Sequence, residues 1–378
     1  MPVIYIVLFC HYLTAFTALG LPLFMPYMVI NFTDGNSQYL VGILFVIPPL
    51  CAALTAPWWG RFADKFGKKN SLLRAQSGLV IGFLLSGFAD NLWIFCFGLV
   101  VQGVSGGTLA ASNAYLSSQY QGNSLANKLN LTQFSARLAL VTGPILLGLF
   151  VGIDNPLDLY RYLALLPLCA LFISLFFAPG DIPSNIKETT NSKSDQTQQS
   201  NFTQLLILQF LFCFSMVITF PYFLPYVQTF GEVDDSVIGF YYSFPHLIYL
   251  LFALFIGRLT LEAKQQILFG FSFILLAGIA QFSLIYIHWL IWCRLVFGIG
   301  ILLCYSGLHL LLSQRLHKSK AGVSFGRFDA WGKWAGLFAG LLASVISYYI
   351  PLNWPFLLSA TASFFAILIL ILGHKKQS

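Results

Sequence analysis

Gly60-Arg61-Phe62-Ala63-Asp64-Lys65-Phe66-Gly67-Lys68-Lys69 interrupts an otherwise apolar region of the chain. The decad holds charges at Arg61, Asp64, Lys65, Lys68 and Lys69, whereas the whole 378-residue chain is 58% hydrophobic and 9% charged. On both sides the sequence returns to apolar runs of about 20 residues, long enough to cross hydrocarbon at ~1.5 Å per residue. The decad therefore reads as a short aqueous loop between two membrane spans. Gly60 and Gly67 would allow its turns and a close helix approach.

Outward from this loop the same alternation continues. Apolar spans are predicted at 3–30, 38–60, 72–89, 92–118, 127–151, 160–179, 203–229, 236–257, 266–286, 289–313, 325–349 and 354–373. A soluble domain would need roughly a quarter of its residues charged, so the expected class is an all-α membrane protein with twelve transmembrane helices in two bundles. Residues 180–202 are rich in Ser, Thr, Asn and Gln, and too poor in apolar residues to pack. They predict a flexible cytoplasmic linker between a six-helix bundle at 1–179 and another at 203–378. The N-terminus lacks a basic region ahead of its apolar run, so it reads as a first span and not as a cleaved leader. The seven cysteines all fall within apolar runs and read as packing residues.

Charge fixes the expected orientation. With both termini cytoplasmic, sixteen Lys and Arg residues lie on or beside the inner side and only Arg161 outside. The net charge of +7 thus reads as topology, with no nucleic-acid partner implied. The expected location is a bacterial inner membrane.

The halves repeat. Pro22, Phe24, Pro26 and Tyr27 match Pro221, Phe223, Pro225 and Tyr226 at an offset of 199. Gly42, Pro48, Gly60 and Arg61 match Gly239, Pro245, Gly257 and Arg258 at 197, and Gly103 matches Gly298 at 195. Six spans per half leave both halves facing the same way, a parallel repeat.

Within the decad, Gly60, Asp64, Lys65, Gly67, Lys68 and Lys69 resemble the signature loop of the major facilitator superfamily, Gly-x-x-x-Asp-Arg/Lys-x-Gly-Arg/Lys-Lys/Arg. The resemblance implies a secondary transporter whose two bundles rock about a midplane site. It also implies a cytoplasmic gate in which Asp64 meets the start of the eleventh helix near Ser324-Phe325-Gly326, with Arg327 as a possible direct partner. The alternative is a plain positive-inside anchor. The Gly143-Pro144 pair resembles part of the fifth-helix motif of exporters and antiporters, without its usual paired glycine. Gly143, Pro144, Pro221 and Pro225 are the expected bending points. The arginine that exporters often carry in the fourth helix is Leu99 here, while the tenth helix reads Arg294-Leu295-Val296-Phe297-Gly298.

Charges inside spans mark function by default. Arg137, Lys333 and Arg294 are candidates for holding an anionic group; structural bonding or snorkelling is the competing reading. Gln102, Asn113, Asn130, Gln133, Tyr27 and Tyr226 are candidate lining residues, the tyrosines also as an outer gate or as belt aromatics. Proton coupling needs a group titrating near neutrality: Asp329, His246, His11 and His309 are the candidates, with Lys333 able to neutralise Asp329 at i+4. Spans one and seven contain no Asp or Glu, which disfavours a cationic substrate.

These residues predict proton-coupled export of a small anionic or amphipathic compound, such as a siderophore or a drug, by a monomer in the lipid bilayer. Import of a metabolite and a non-transporting sensor remain as alternatives. No catalytic triad, carboxylate pair, metal-ligand cluster or nucleotide loop is legible, so neither enzyme activity nor a metal or cofactor is expected.

Overall fold

The computed structural model describes all residues except 1–2, 31, 33–38, 121, 151–154, 181–195, 254, 256–259, 316–320 and 376–378. Every predicted span is helical, and no strand occurs among the described residues. Among the described residues, eight helices are long and apolar enough by themselves to cross a membrane: Val3–Ile30, Tyr39–Phe66, Leu92–Gln119, Asp158–Phe177, Ala263–Phe282, Ile287–Leu312, Arg327–Tyr349 and Trp354–Leu372. The other four predicted spans form Lys68–Gly87, Gly122–Gly148, Gln196–Val217 continued by Phe223–Gln228, and Asp235–Phe252. Helices suit this setting because they satisfy their own backbone groups where no water is available. Large apolar side chains face outward, with Trp93 83% and Phe176 72% exposed, as lipid contact requires.

The chain forms two compact units, Met1–Ile186 with Val233–Ser243, and Lys187–Glu232 with Phe244–Ser378. Each has its own core. In the first, Ile4, Val7, Leu72, Ala75, Ala111, Tyr115 and Ala178 join spans one, three and four to the end of span six. In the second, Leu205, Phe212, Ile267, Phe271, Ile301, Cys304 and Ala366 join the corresponding spans seven, nine, ten and twelve.

The repeat is visible in the packing. Span one changes from α-helix to a 3-10 turn at Leu21–Phe24, where Pro22 cannot donate a backbone bond. Span seven breaks at the corresponding place, between Val217 and Phe223, around Pro221. A Cβ on Gly103 would lie 2.5 Å from the Pro48 carbonyl oxygen, and one on Gly298 would lie 2.9 Å from Pro245 Cα. Each half thus presses a glycine of its fourth helix against a proline of its second.

Four local expectations are corrected. Gly60–Phe66 is not a loop but the end of helix Tyr39–Phe66; Gly67, at φ 99°, is the turn, and span three starts at once with Lys68. Among the described residues, none comes within 4 Å of a Cβ built on Gly60. The seventh helix begins at Gln196, inside the expected linker, because its polar Gln-rich start continues the helical register of the apolar run. The fourth span is two helices, Leu92–Ser105 and Thr108–Gln119. The eleventh helix starts at Ala321, not near Ser324. Residues 181–195 of the linker, together with Gly257 and Arg258 of the repeat, lie outside the described residues.

Candidate functional site

At the corner where span two turns into span three, the cations of the decad act on helix ends. Lys69 Nζ donates to the carbonyls of Ala178 at 2.5 Å and Leu175 at 3.1 Å, and Lys68 Nζ to Ser117 Oγ at 3.0 Å. A cation at the C-terminus of span six complements the helix dipole. Asp64 and Lys65 are exposed, and the Lys65 ammonium lies 5.3 Å from the Phe66 ring centre. In the second unit, exposed Arg327 lies over the Phe202 ring at 5.5 Å.

Spans one and five cross on glycine: a Cβ on Gly143 would fall 2.9 Å from Gly20 Cα. Polar side chains flank the crossing. Ser135 Oγ donates to the Leu8 carbonyl at 3.2 Å and lies 3.2 Å from Nδ1 of buried His11. Tyr12 OH meets Thr142 Oγ1 at 2.7 Å. Arg137, two residues beyond Ser135, is 9% exposed, and Gln133 is exposed. Thr132 Oγ1 donates to Asn113 Oδ1 at 2.8 Å. Gln102 is buried between spans three and four, donating to Ser86 Oγ at 2.9 Å. The side chain of Asn130 lies outside the described residues. The Pro144 carbonyl packs on Gly239, where a Cβ would come within 2.2 Å of its oxygen. Near the end of span one, Tyr27 OH donates to Asp235 Oδ1 at 2.6 Å.

In the second unit, the repeat partner Tyr226 donates instead to the Gln281 carbonyl at 2.6 Å. Pro221 and Pro225 are buried in the break beside it. Arg294 is 1% exposed, its guanidinium 4.5 Å from the Phe223 ring and 5.2 Å from Phe297. Buried His246 faces Phe220 at 6.2 Å, and His309 packs on Tyr305 at 4.3 Å. Lys333 pairs with Asp329 at 2.8 Å, both exposed. Phe210, Phe214, Phe338, Leu341, Leu342 and Val345 line an apolar hollow of about 440 Å³. Trp331 meets Phe210 edge-on at 6.0 Å.

This geometry brings His11 to span five and joins Asp329 to Lys333, and it gives the paired tyrosines Tyr27 and Tyr226 different partners. A family model described as the Major Facilitator Superfamily matches residues 4–340. The chain belongs to the major facilitator superfamily. The tetracycline resistance protein, class B, of Escherichia coli is 24% identical over 391 aligned residues, 95% of this chain and 93% of that protein. The multi-drug resistance efflux pump PmrA homolog of Lactococcus lactis is 24% identical, covering 70% of this chain and 68% of that one. A crystal structure of a POT family transporter in complex with 5-aminolevulinic acid superposes with a TM-score of 0.80 at 14% identity, covering 98% and 94%. That similarity shows the fold. This superfamily member is therefore a multi-pass membrane transporter with efflux proteins among its relatives.

Two groups of residues escaped sequence reading. Arg74 was counted with the inner-side cations, yet it bonds the break in span four. The aromatic cluster of Phe210, Phe214, Trp331 and Phe338 was indistinguishable from ordinary span aromatics, although Phe210 and Phe214 stand four apart on one helix face, as stacking side chains must.

Proposed function

We propose that this chain exports an amphipathic, drug-like compound across a bacterial inner membrane, driven by protons, with both termini in the cytoplasm. The observation that carries the reading is the exposed surface of the eleventh helix. It holds the Asp329–Lys333 pair on one side, and on the other side Trp331, Trp334 and Phe338, followed along the helix by the aliphatic wall of the hollow. A helix that offers a charged side and an aromatic and aliphatic side suits a molecule with one polar edge and an apolar body. Asp329 compensates the Lys333 charge, which favours an amphipathic substrate over a polyanion such as a siderophore. The relatives, named for tetracycline and multidrug resistance, support export. Asp329 is the proposed proton carrier, since its proton would release Lys333. Arg137 and His11 are proposed to line the polar side of the first unit, and Asp64 with Arg327 to close the cytoplasmic gate.

The test is growth inhibition in an efflux-deficient bacterial host. Production of the wild-type chain should raise the tolerated concentration of tetracycline or lipophilic dyes, and Asp329→Asn at equal membrane abundance should abolish the gain. Tolerance unchanged by the wild-type chain across such compounds would reject the reading.

A further inference from the structure

Span four carries a feature that the export reading does not use. Helix Leu92–Ser105 stops at Gly106, and helix Thr108–Gln119 starts from Gly107, whose φ of +81° is left-handed. A Cβ on Gly106 would fall 2.2 Å from the Gln102 carbonyl oxygen. The terminal carbonyls of the first half-helix have lost their intrahelical donors, and hydrocarbon offers none in exchange.

Side chains from two neighbouring spans supply them. Trp59 Nε1 donates to the Val104 carbonyl at 2.5 Å, and Thr55 Oγ1 reaches the same oxygen at 3.4 Å. Arg74 Nη1 donates to the Ser105 carbonyl at 2.6 Å and the Gly106 carbonyl at 3.2 Å. The guanidinium lies 3.5 Å from the centre of the Trp59 ring, and its Nε is buried without a hydrogen bond. A cation here also meets the negative end of the half-helix dipole. One turn along span three, a Cβ on Gly78 would lie 2.0 Å from Ser105 Cβ, so the break is wedged against the helix that carries Arg74. The two half-helices have different neighbours: 92–105 packs on spans two and three, and 108–119 on spans one, three and five. The corresponding place in the second unit, Gly300-Ile301-Leu302, is inside the continuous helix Leu290–Arg315, and Phe269 stands where Arg74 would be.

We propose that residues 105–107 form a hinge in the first unit, and that Arg74 is the positioning residue that holds its two half-helices in register through their open carbonyls. Its use in transport rests on the export reading; the hinge itself does not. Hinges are residues at element ends that absorb backbone rotation while the flanking helices stay rigid.

The full-length chain in lipid nanodiscs provides the test, by hydrogen–deuterium exchange and thermal unfolding. Amides 106–110 should exchange about tenfold faster than 301–305. Gly106→Ala with Gly107→Ala should remove that difference by completing the helix, whereas Gly107→Asn should keep it, since Asn tolerates the left-handed region. Arg74→Gln should speed exchange at 106–110 and lower the Tm, but should leave the Tm unchanged in the double-alanine background, where the carbonyls bond within the helix. In cells, tetracycline efflux should be lost with the double alanine and kept with Gly107→Asn. Equal exchange at the two places in the wild type, an equal Tm loss from Arg74→Gln in both backgrounds, or undiminished efflux by the double alanine would each overturn the proposal. If the double alanine fails to fold, Arg74→Gln decides: faster exchange confined to 106–110 supports the hinge, and faster exchange spread over the unit overturns it. A wild-type chain that effluxes nothing would defeat the export reading, while exchange and Tm would still judge the hinge.

Discussion

Spans four and ten occupy matching places in the two halves, and both press a glycine, Gly103 or Gly298, against a proline of the neighbouring helix. Beyond that glycine they part. Span four breaks within three residues and draws Arg74 and Trp59 onto its open carbonyls. Span ten continues as one helix to Arg315, and its own cation, Arg294, is packed among aromatic rings. A duplicated fold thus keeps the crossing contacts that set helix spacing, while cations and helix continuity diverge. In the first half the cation at the fourth helix comes from span three, where Arg74 bonds the Ser105 and Gly106 carbonyls.

Substitutions at matched positions sharpen or break this comparison. The largest effects are expected where a helix contact is overfilled. Gly103→Val should cost about 3 kcal/mol and Gly298→Val about 2 kcal/mol, following the 2.5 Å and 2.9 Å approaches. Thermal unfolding of the purified variants measures both, and equal tolerance of valine at the two sites would contradict the packing account. Next come the arginines. Arg74→Lys keeps the charge but loses the fork and the stacking, at about 2 kcal/mol, whereas Arg294→Lys loses the stacking on Phe223 and Phe297, at about 1 kcal/mol. The same unfolding assay ranks them.

The tyrosine pair follows. Tyr27→Phe removes a bond to a carboxylate, about 1.5 kcal/mol, and Tyr226→Phe a bond to a neutral carbonyl, about 1 kcal/mol. A double-mutant cycle with Asp235→Asn should show coupling for Tyr27 and none for Tyr226. The smallest effect is Lys69→Met, about 0.5 kcal/mol for a helix-end cation, read as faster exchange near residue 178.

Most of the fold was legible because bilayer thickness dictates apolar run length, and because prolines and glycines at crossings are costly to move. Pro221, expected as a bending point, sits in the break of span seven; the repeat matches Pro22, Gly103 and Pro48 carried no such expectation, and their break and contact appear only in the structure. The break at Gly106-Gly107 was written in the sequence as paired glycines, yet the apolar flanks on both sides made one span of it. Arg74 was hidden because its position near a helix start, on the side expected to be inner, satisfies the positive-inside pattern, whatever its side chain touches. The decad was read as a loop from its charge, but charges at an inner helix end are compatible with two more helical turns. Among site residues, the i+4 spacing of Asp329 and Lys333 announced their pairing. The burial of Arg294 was not foreseeable, because the rings that cover it come from span seven and from its own helix.

Uptake of tetracycline by everted membrane vesicles tests the central claim most directly. With an acid interior, vesicles containing this chain should accumulate the compound above vesicles without it, and an uncoupler should discharge it. Accumulation no greater than in the chain-free vesicles, or accumulation unaffected by the uncoupler, would contradict proton-driven export.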